Sequence, residues 1–338
     1  MKQIKASADA YMYGSARIRA LENQLIGGER LERLLNAGSL NRCVELMREM
    51  GVTVIVDEET GALLREETLE RRLKQAYTEV LQLSEDAAFL RLWLFPYDCN
   101  NIKALIKCRY REISPQGMLF DFGTVPSEQL TEILHRGSEN TLPPPFGAAA
   151  EEAAHALAAT ANPQTVDLIL DAACWRAMLE EAKKSGVRFA VKLVQQRIDL
   201  INLLTCLRRM RMSAGAVREV LPRELLLEGG TLSYEELSAL SEEGESHFLK
   251  RLEYTPYEKF SNRVNAEGFP VGQMEREAEN FFLEAVREAR MIPFGAEPIL
   301  GYLLAVEYEV KNLRILLSGY GIGLSKETVR ERMRGSYV

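Results

Sequence analysis

The residues best placed to do chemistry are three acid–amide pairs, Asp98 with Asn101, Asp199 with Asn202, and Glu309 with Asn312. In each pair the acid precedes the asparagine by three positions, so on a helix the two side chains are neighbours on one face. Two uses are open to such a pair. It could contact a bound partner, or it could sit half-buried and fix how a long helix packs, since a buried amide must find hydrogen-bond partners. We read the second use as the stronger, because a ligand site has no reason to recur three times in one chain.

Other reactive groupings are thinner. His135, His155 and His247 lie far apart, and none stands in a metal-ligand spacing, so all three read as solvated. There is no phosphate-binding loop of the G-x-x-x-x-G-K-S/T type, and no G-x-S-x-G nucleophile turn. The glycines of Gly319-Tyr-Gly321-Ile-Gly323 follow a helical pattern rather than a strand, so they read as a helix stop and not as a phosphate cradle. Asp57-Glu58-Glu59 reads as a turn, and Glu242-Glu243 as solvated charge beside a helix end. Cys43, Cys99, Cys108, Cys174 and Cys206 form no C-x-x-C pair, and read as small core residues of a reducing compartment. These residues imply no catalytic site, no cofactor and no metal.

Composition agrees. Of 338 residues, 46% are hydrophobic and 27% charged, and the formal net charge is −7, which argues for a globular chain and against a nucleic-acid partner. The opening stretch lacks the apolar core of a signal peptide. No run reaches the roughly 18–20 apolar residues of a membrane span; the richest, Ile198-Asp-Leu-Ile-Asn-Leu-Leu, is broken by Asp199 and Asn202. The expectation is a soluble chain without a membrane-crossing segment.

The elements that must carry the pairs are helices. Leu31, Leu34 and Leu35 fall at helical spacing with charges between them, and the pattern is typical of the chain. Val52-Thr-Val-Ile-Val56 is the one strand candidate. Pro143-Pro144-Pro145 must be a loop, and Glu112 to Gly123 and Pro222 to Gly230 read as connections. The fold class is therefore all-α.

The pairs sit within a longer repetition. A pattern E-x-L-x-x-L/I-x-x-x-G occurs at Glu29-Leu31-Leu34-Gly38, Glu128-Leu130-Ile133-Gly137 and Glu235-Leu237-Leu240-Gly244. Its acid suits the first turn of a helix and its glycine a left-handed stop. Copies two and three share a lead-in, Gly123-Thr124-Val125 and Gly230-Thr231-Leu232, and Ser233 with Glu236 has capping-box spacing. An acid–asparagine pair follows each copy: Asn101 lies 70 residues after Leu31, Asn202 72 after Leu130, and Asn312 75 after Leu237. Two patterns held at nearly constant separation imply three helical units of roughly 100 residues, a usual domain size. The expected boundaries are 1–118, 119–224 and 225–338.

Several segments together resemble the C subunit of V/A-type ATP synthases, a family similar to the d subunit of vacuolar ATPases. They are Tyr13-Gly-Ser-Ala-Arg17-Ile-Arg19-Ala-Leu21-Glu22, Phe95-Pro-Tyr-Asp98-Cys-Asn-Asn101-Ile-Lys-Ala-Leu105, Ile292-Pro-Phe-Gly295-Ala-Glu297-Pro298, Glu307-Tyr-Glu309-Val-Lys-Asn312-Leu-Arg314, and Val329-Arg-Glu-Arg332 to Tyr337-Val338. The resemblance spans the chain and is weakest in the middle unit. It implies a funnel-shaped, pseudo-threefold protein without catalysis. Such a protein stands on the cytoplasmic face of the membrane, on the rotor ring of c/K-type subunits, and receives a central shaft made of the D and F subunits. It names no binding residues. The competing expectation is a helical scaffold of an unrelated complex, although ordinary helical solenoids repeat at about 30–47 residues, well short of the period here.

Overall fold

The computed structural model describes residues 11–83, 88–212, 221–265 and 269–338. Residues 1–10 of the opening stretch lie outside them. Among the described residues the regular structure is helical, with one isolated antiparallel bridge, Val56 to Leu63. That bridge is what becomes of the strand candidate. Asp57 turns the chain too early for a ladder: its Oδ1 accepts from the Glu59 and Thr60 amides and from the Thr60 hydroxyl.

The chain forms two compact units, Met1–Ala87 with Glu253–Val338, and Ala88–Leu252. The first unit begins with α1 (Met12–Glu22), α2 (Gly28–Leu35), α3 (Leu40–Glu49) and α4 (Arg65–Gln82). The second holds α5 (Ala88–Arg91), α6 (Phe95–Tyr110), α7 (Ser127–His135), α8 (Phe146–Thr160), α9 (Pro163–Ser185), α10 (Arg188–Met212), α11 (Tyr234–Glu243) and α12 (Glu245–Leu252). The first unit is completed by α13 (Glu258–Val264), α14 (Val271–Arg287), α15 (Ala296–Ile322) and α16 (Lys326–Arg332). This division follows packing, whereas the three expected segments follow the repetition of sequence.

Local sequence explains the boundaries. α9 starts where Asn162 caps the Gln164 amide and Pro163 fills the first turn, and it stops at Gly186 in the left-handed region, φ 71°. Ser233 and Glu236 form a reciprocal capping box at α11. The three pattern glycines Gly38, Gly137 and Gly244 all take positive φ, 81°, 65° and 96°. Gly323 ends α15 in the same way, so Gly319 and Gly321 belong to its last turns.

Each unit is organised on a long helix. α15 packs against α1, α4 and α14, and Ile299, Leu300, Leu303 and Val306 are fully enclosed. α9 packs against α6, α8 and α10, with Val166, Leu170 and Met178 enclosed. At about 1.5–3 kcal/mol for each large apolar side chain withdrawn from water, these stripes supply the main stabilisation of the helices. No described helix is long and apolar enough to cross a membrane.

Candidate functional site

The three asparagines make one contact in three places. On α6, Asn101 Nδ2 donates to the Phe120 carbonyl and the Phe120 amide donates to Asn101 Oδ1, both at 2.8 Å. On α10, Asn202 holds the carbonyl and amide of Leu227 at 2.8 and 2.8 Å. On α15, Asn312 holds those of Arg334 at 3.1 and 2.8 Å. A carboxamide offers one donor side and one acceptor side, as a peptide group does. Asn101 and Asn202 therefore each clasp one residue of the connection that follows their helix, and Asn312 clasps one just beyond α16, much as an adjacent strand would.

Two of the acids act a few residues further along the same connections. Asp98 accepts from the Thr124 amide at 3.0 Å, the Thr124 hydroxyl at 2.6 Å and the Val125 amide at 3.2 Å. Asp199 repeats this with Thr231 and Leu232, at 2.8, 2.6 and 3.1 Å. Gly123 and Gly230 are required by the approach: a Cβ on either would lie 2.2 or 2.0 Å from the carboxylate Oδ1. Glu309 accepts instead from the Ile26 amide at 2.8 Å, and from Arg72 Nε at 2.7 Å. Val125, Leu232 and Ile26 each stand five residues before the first leucine of the next pattern, Leu130, Leu237 and Leu31. Each acid thus holds the entry to a pattern helix, α7, α11 or α2.

Electrostatics separate the three. Burial pushes the Asp98 carboxyl above its ordinary range, and the Thr124 and Val125 donors oppose that only in part. Burial disfavours the Arg72 charge, yet Glu309 raises it above the ordinary arginine range. The pair is enclosed, with 14% of the Arg72 side chain and 2% of Glu309 exposed.

All six predicted site residues are buried, none more than 3% exposed, rather than half-buried as the sequence suggested. The apolar residues next to each asparagine, Ile102 and Ile106, Leu203 and Leu207, and Leu313 and Leu317, are buried as well. The polar atoms of the six are engaged with this chain's own backbone, the Thr124 and Thr231 hydroxyls, and Arg72. His135, His155 and His247 are exposed, and no group of His, Cys, Asp or Glu among the described residues could hold a metal ion. The five cysteines are buried and free, and burial pushes the Cys43 thiol up to about 12 and Cys206 to about 11. Sequence reasoning missed the partners. The shared Gly-Thr lead-ins signalled Thr124 and Thr231, whereas Arg72 has no counterpart in the other copies and left no signal.

Two of the segments on which the family resemblance rests meet in the first unit. Ser15 Oγ lies 3.2 Å from the Gly295 amide, and Arg19 donates to the carbonyls of Ala289 and Ile292 at 3.0 and 2.6 Å. Fold and contacts define an all-α protein whose recurrent acids and amides hold its own helix connections. The chain belongs to the ATP synthase (C/AC39) subunit family, whose profile matches residues 15–332. Among curated relatives it is similar to the A-type ATP synthase C subunit of Methanocaldococcus jannaschii, at 26% identity over 95% of this chain and 85% of the relative. The protein of the same name from Methanosarcina mazei is 25% identical over 97% of this chain and 94% of its own length. That of Thermococcus kodakarensis is 24% identical over 95% and 89%.

Proposed function

We propose that this chain is the central-stalk subunit of a V/A-type rotary ATPase, a socket that joins the shaft of D and F subunits to the membrane ring of c/K-type subunits. The observation that carries the reading is the family match over residues 15–332, together with relatives named as the C subunit of A-type ATP synthase that align over nearly the whole chain. In this role the chain does no chemistry. It transmits torque at the cytoplasmic face of the membrane, where the complex couples ATP to proton or sodium movement.

The same reading divides the chain into three related helical units, 1–118, 119–224 and 225–338, in a pseudo-threefold funnel. The recurrence of the clasps supports this. Each acid of one unit holds the entry helix of the next, and Glu309 of the third holds Ile26 of the first. Three units linked in that order resist twisting better than a single rod, which is what a torque-bearing joint needs.

Native purification from membranes tests the assignment. The expected result is that the chain co-purifies with shaft and ring subunits of one ATPase. Recovery from the soluble fraction free of those subunits would refute it.

A further inference from the structure

α6 and α15 end in the same way. Eleven residues beyond each clasping asparagine stand Glu112 and Gly323, both left-handed at φ 55° and 70°. The next amide closes the helix on the same carbonyl position, Ile113 onto Cys108 at 3.0 Å and Leu324 onto Gly319 at 2.9 Å. Arg109 of α6 donates to the Leu134 carbonyl of α7, and the Tyr320 hydroxyl of α15 donates to the Leu35 carbonyl of α2 at 3.0 Å. A serine follows in both, and each accepts from a backbone amide just ahead, Ser114 from Gln116 and Ser325 from Thr328.

From that serine the two copies diverge. Ser325 opens α16, which lays Val329 on Gly319 so closely that a Cβ there would lie 2.4 Å from Val329 Cγ2. Lys326 then meets Asn36 at 3.2 Å and Arg330 pairs with Glu32 at 2.7 Å, at the C-terminal end of α2 and on α2 itself. After Ser114, a single turn from Pro115 ends at Gly117, φ 74°, with the Met118 amide on the Pro115 carbonyl at 3.0 Å. Met118 takes the place of Val329, 3.6 Å from Cys108 Sγ, but it is 52% exposed where Val329 is 3% exposed. What α16 fills between α15 and α2 is left open between α6 and α7. A cavity of about 340 Å³ results, with an apolar wall that includes Leu105, Cys108, Ile113 and Leu134. Its charged or titratable lining is Glu112, which is exposed, Arg109, which is engaged with Glu139 and the Leu134 carbonyl, and His135. Glu112 is exposed and makes no ion pair among the described residues.

We propose that this groove docks an amphipathic helix of a partner protein, which presents an aliphatic residue to Cys108 and Leu134 and a cation to Glu112. Two observations bear on the occupant's chemistry. A helix of this same chain already fills the corresponding place between α15 and α2 and seats Val329 there. Its cations meet Glu32 and Asn36, whose counterparts on α7 are Thr131 and His135, so the cation is called for by the unpaired carboxylate of Glu112 alone. Helices seated in grooves are read through a few anchors one turn apart, the spacing that Lys326, Val329 and Arg330 supply on α16. The site goes beyond the socket role and holds or fails without it.

The test uses the full chain and a synthetic peptide of residues 324–334, held helical by a bridge between positions 327 and 331, which face solvent on α16. The expected result is saturable binding that Thr131→Trp weakens by at least ~10-fold through filling the groove. Glu112→Gly, which suits the left-handed turn while removing the rim charge, weakens it by ~3-fold. If Thr131→Trp impairs folding, Ile113→Trp, at a lining residue that is 47% exposed, closes the same space from its edge. Absence of saturation, equal binding of a scrambled peptide, or binding indifferent to the groove substitutions would each overturn the proposal.

Discussion

The carboxylate of Glu309, deep in α15, accepts a hydrogen bond at 2.8 Å from the backbone amide of Ile26, 283 positions away. It is the contact that Asp98 and Asp199 make with Val125 and Leu232, now made by the last copy to the first pattern helix. The longer side chain and Arg72 distinguish it. The other two carboxylates gain a threonine hydroxyl, whereas Glu309 gains a guanidinium.

This arrangement makes Glu309→Gln the most damaging conservative change. Glutamine keeps an oxygen for the Ile26 amide but leaves the enclosed Arg72 without a counter-charge. Breaking a buried pair from one side costs about 3–5 kcal/mol. Arg72→Met alone should be costly too, and the double substitution should recover much of the loss. Urea unfolding of the four chains checks this. A loss below about 1 kcal/mol for Glu309→Gln, the scale of an exposed pair, would count against it.

The amide clasps lead to a second expectation. Asn202→Leu removes both partners of Leu227 from a buried place, and Asp199→Leu removes the acceptor for Thr231 and Leu232. Each is expected to cost about 1–3 kcal/mol, the penalty for stranded polar groups. Chemical denaturation measures it. An unchanged midpoint combined with lost association with the rotor would show that the pair serves a partner instead.

Asp98 yields a pH dependence with a definite sign. Burial raises its folded value above the ordinary 3.8, so the folded chain holds this proton more tightly than the unfolded chain. The contribution to stability is complete below 3.8 and is lost as pH rises through the raised folded value. The stability of the natural chain minus that of Asp98→Asn should therefore fall with rising pH across that window and then level off. Denaturation at a series of pH values follows it. A difference that grows with pH would mean that the Thr124 and Val125 donors outweigh burial.

Much of this site was legible because helices print their spacing on sequence. An acid and an amide three apart, a leucine pair and a stopping glycine are all local, and all recur. The partners were not legible, because Phe120, Leu227 and Arg334 are held by backbone atoms that any residue carries. The separations of these partners from their asparagines also differ, at 19, 25 and 22 residues. Arg72 serves one copy alone, so no repetition betrays it. Nor does helical periodicity show that the two ends of the chain pack as one unit, since that depends on which stripe meets which. The strand candidate failed for a local reason, the Asp57 turn, that outweighs β-branched preference.

The last expectation concerns coupling. ATP hydrolysis in such machines needs a phosphate-binding loop, and the sequence carries none of the G-x-x-x-x-G-K-S/T type, so under the proposed role hydrolysis belongs to other subunits. A rotary machine still needs a stiff link between an asymmetric shaft and a symmetric ring. Each long helix that bears a pair is tied to a later stretch of backbone by an asparagine and to the entry of a pattern helix by an acid, so under the proposed role twist applied to one helix is passed to buried hydrogen bonds rather than to free loops. Complexes prepared without this chain should keep ATP hydrolysis in the detached head and lose ATP-driven ion transport. Reconstituted vesicles with and without the chain, assayed for both activities, decide the matter. Full transport in its absence would remove the coupling role.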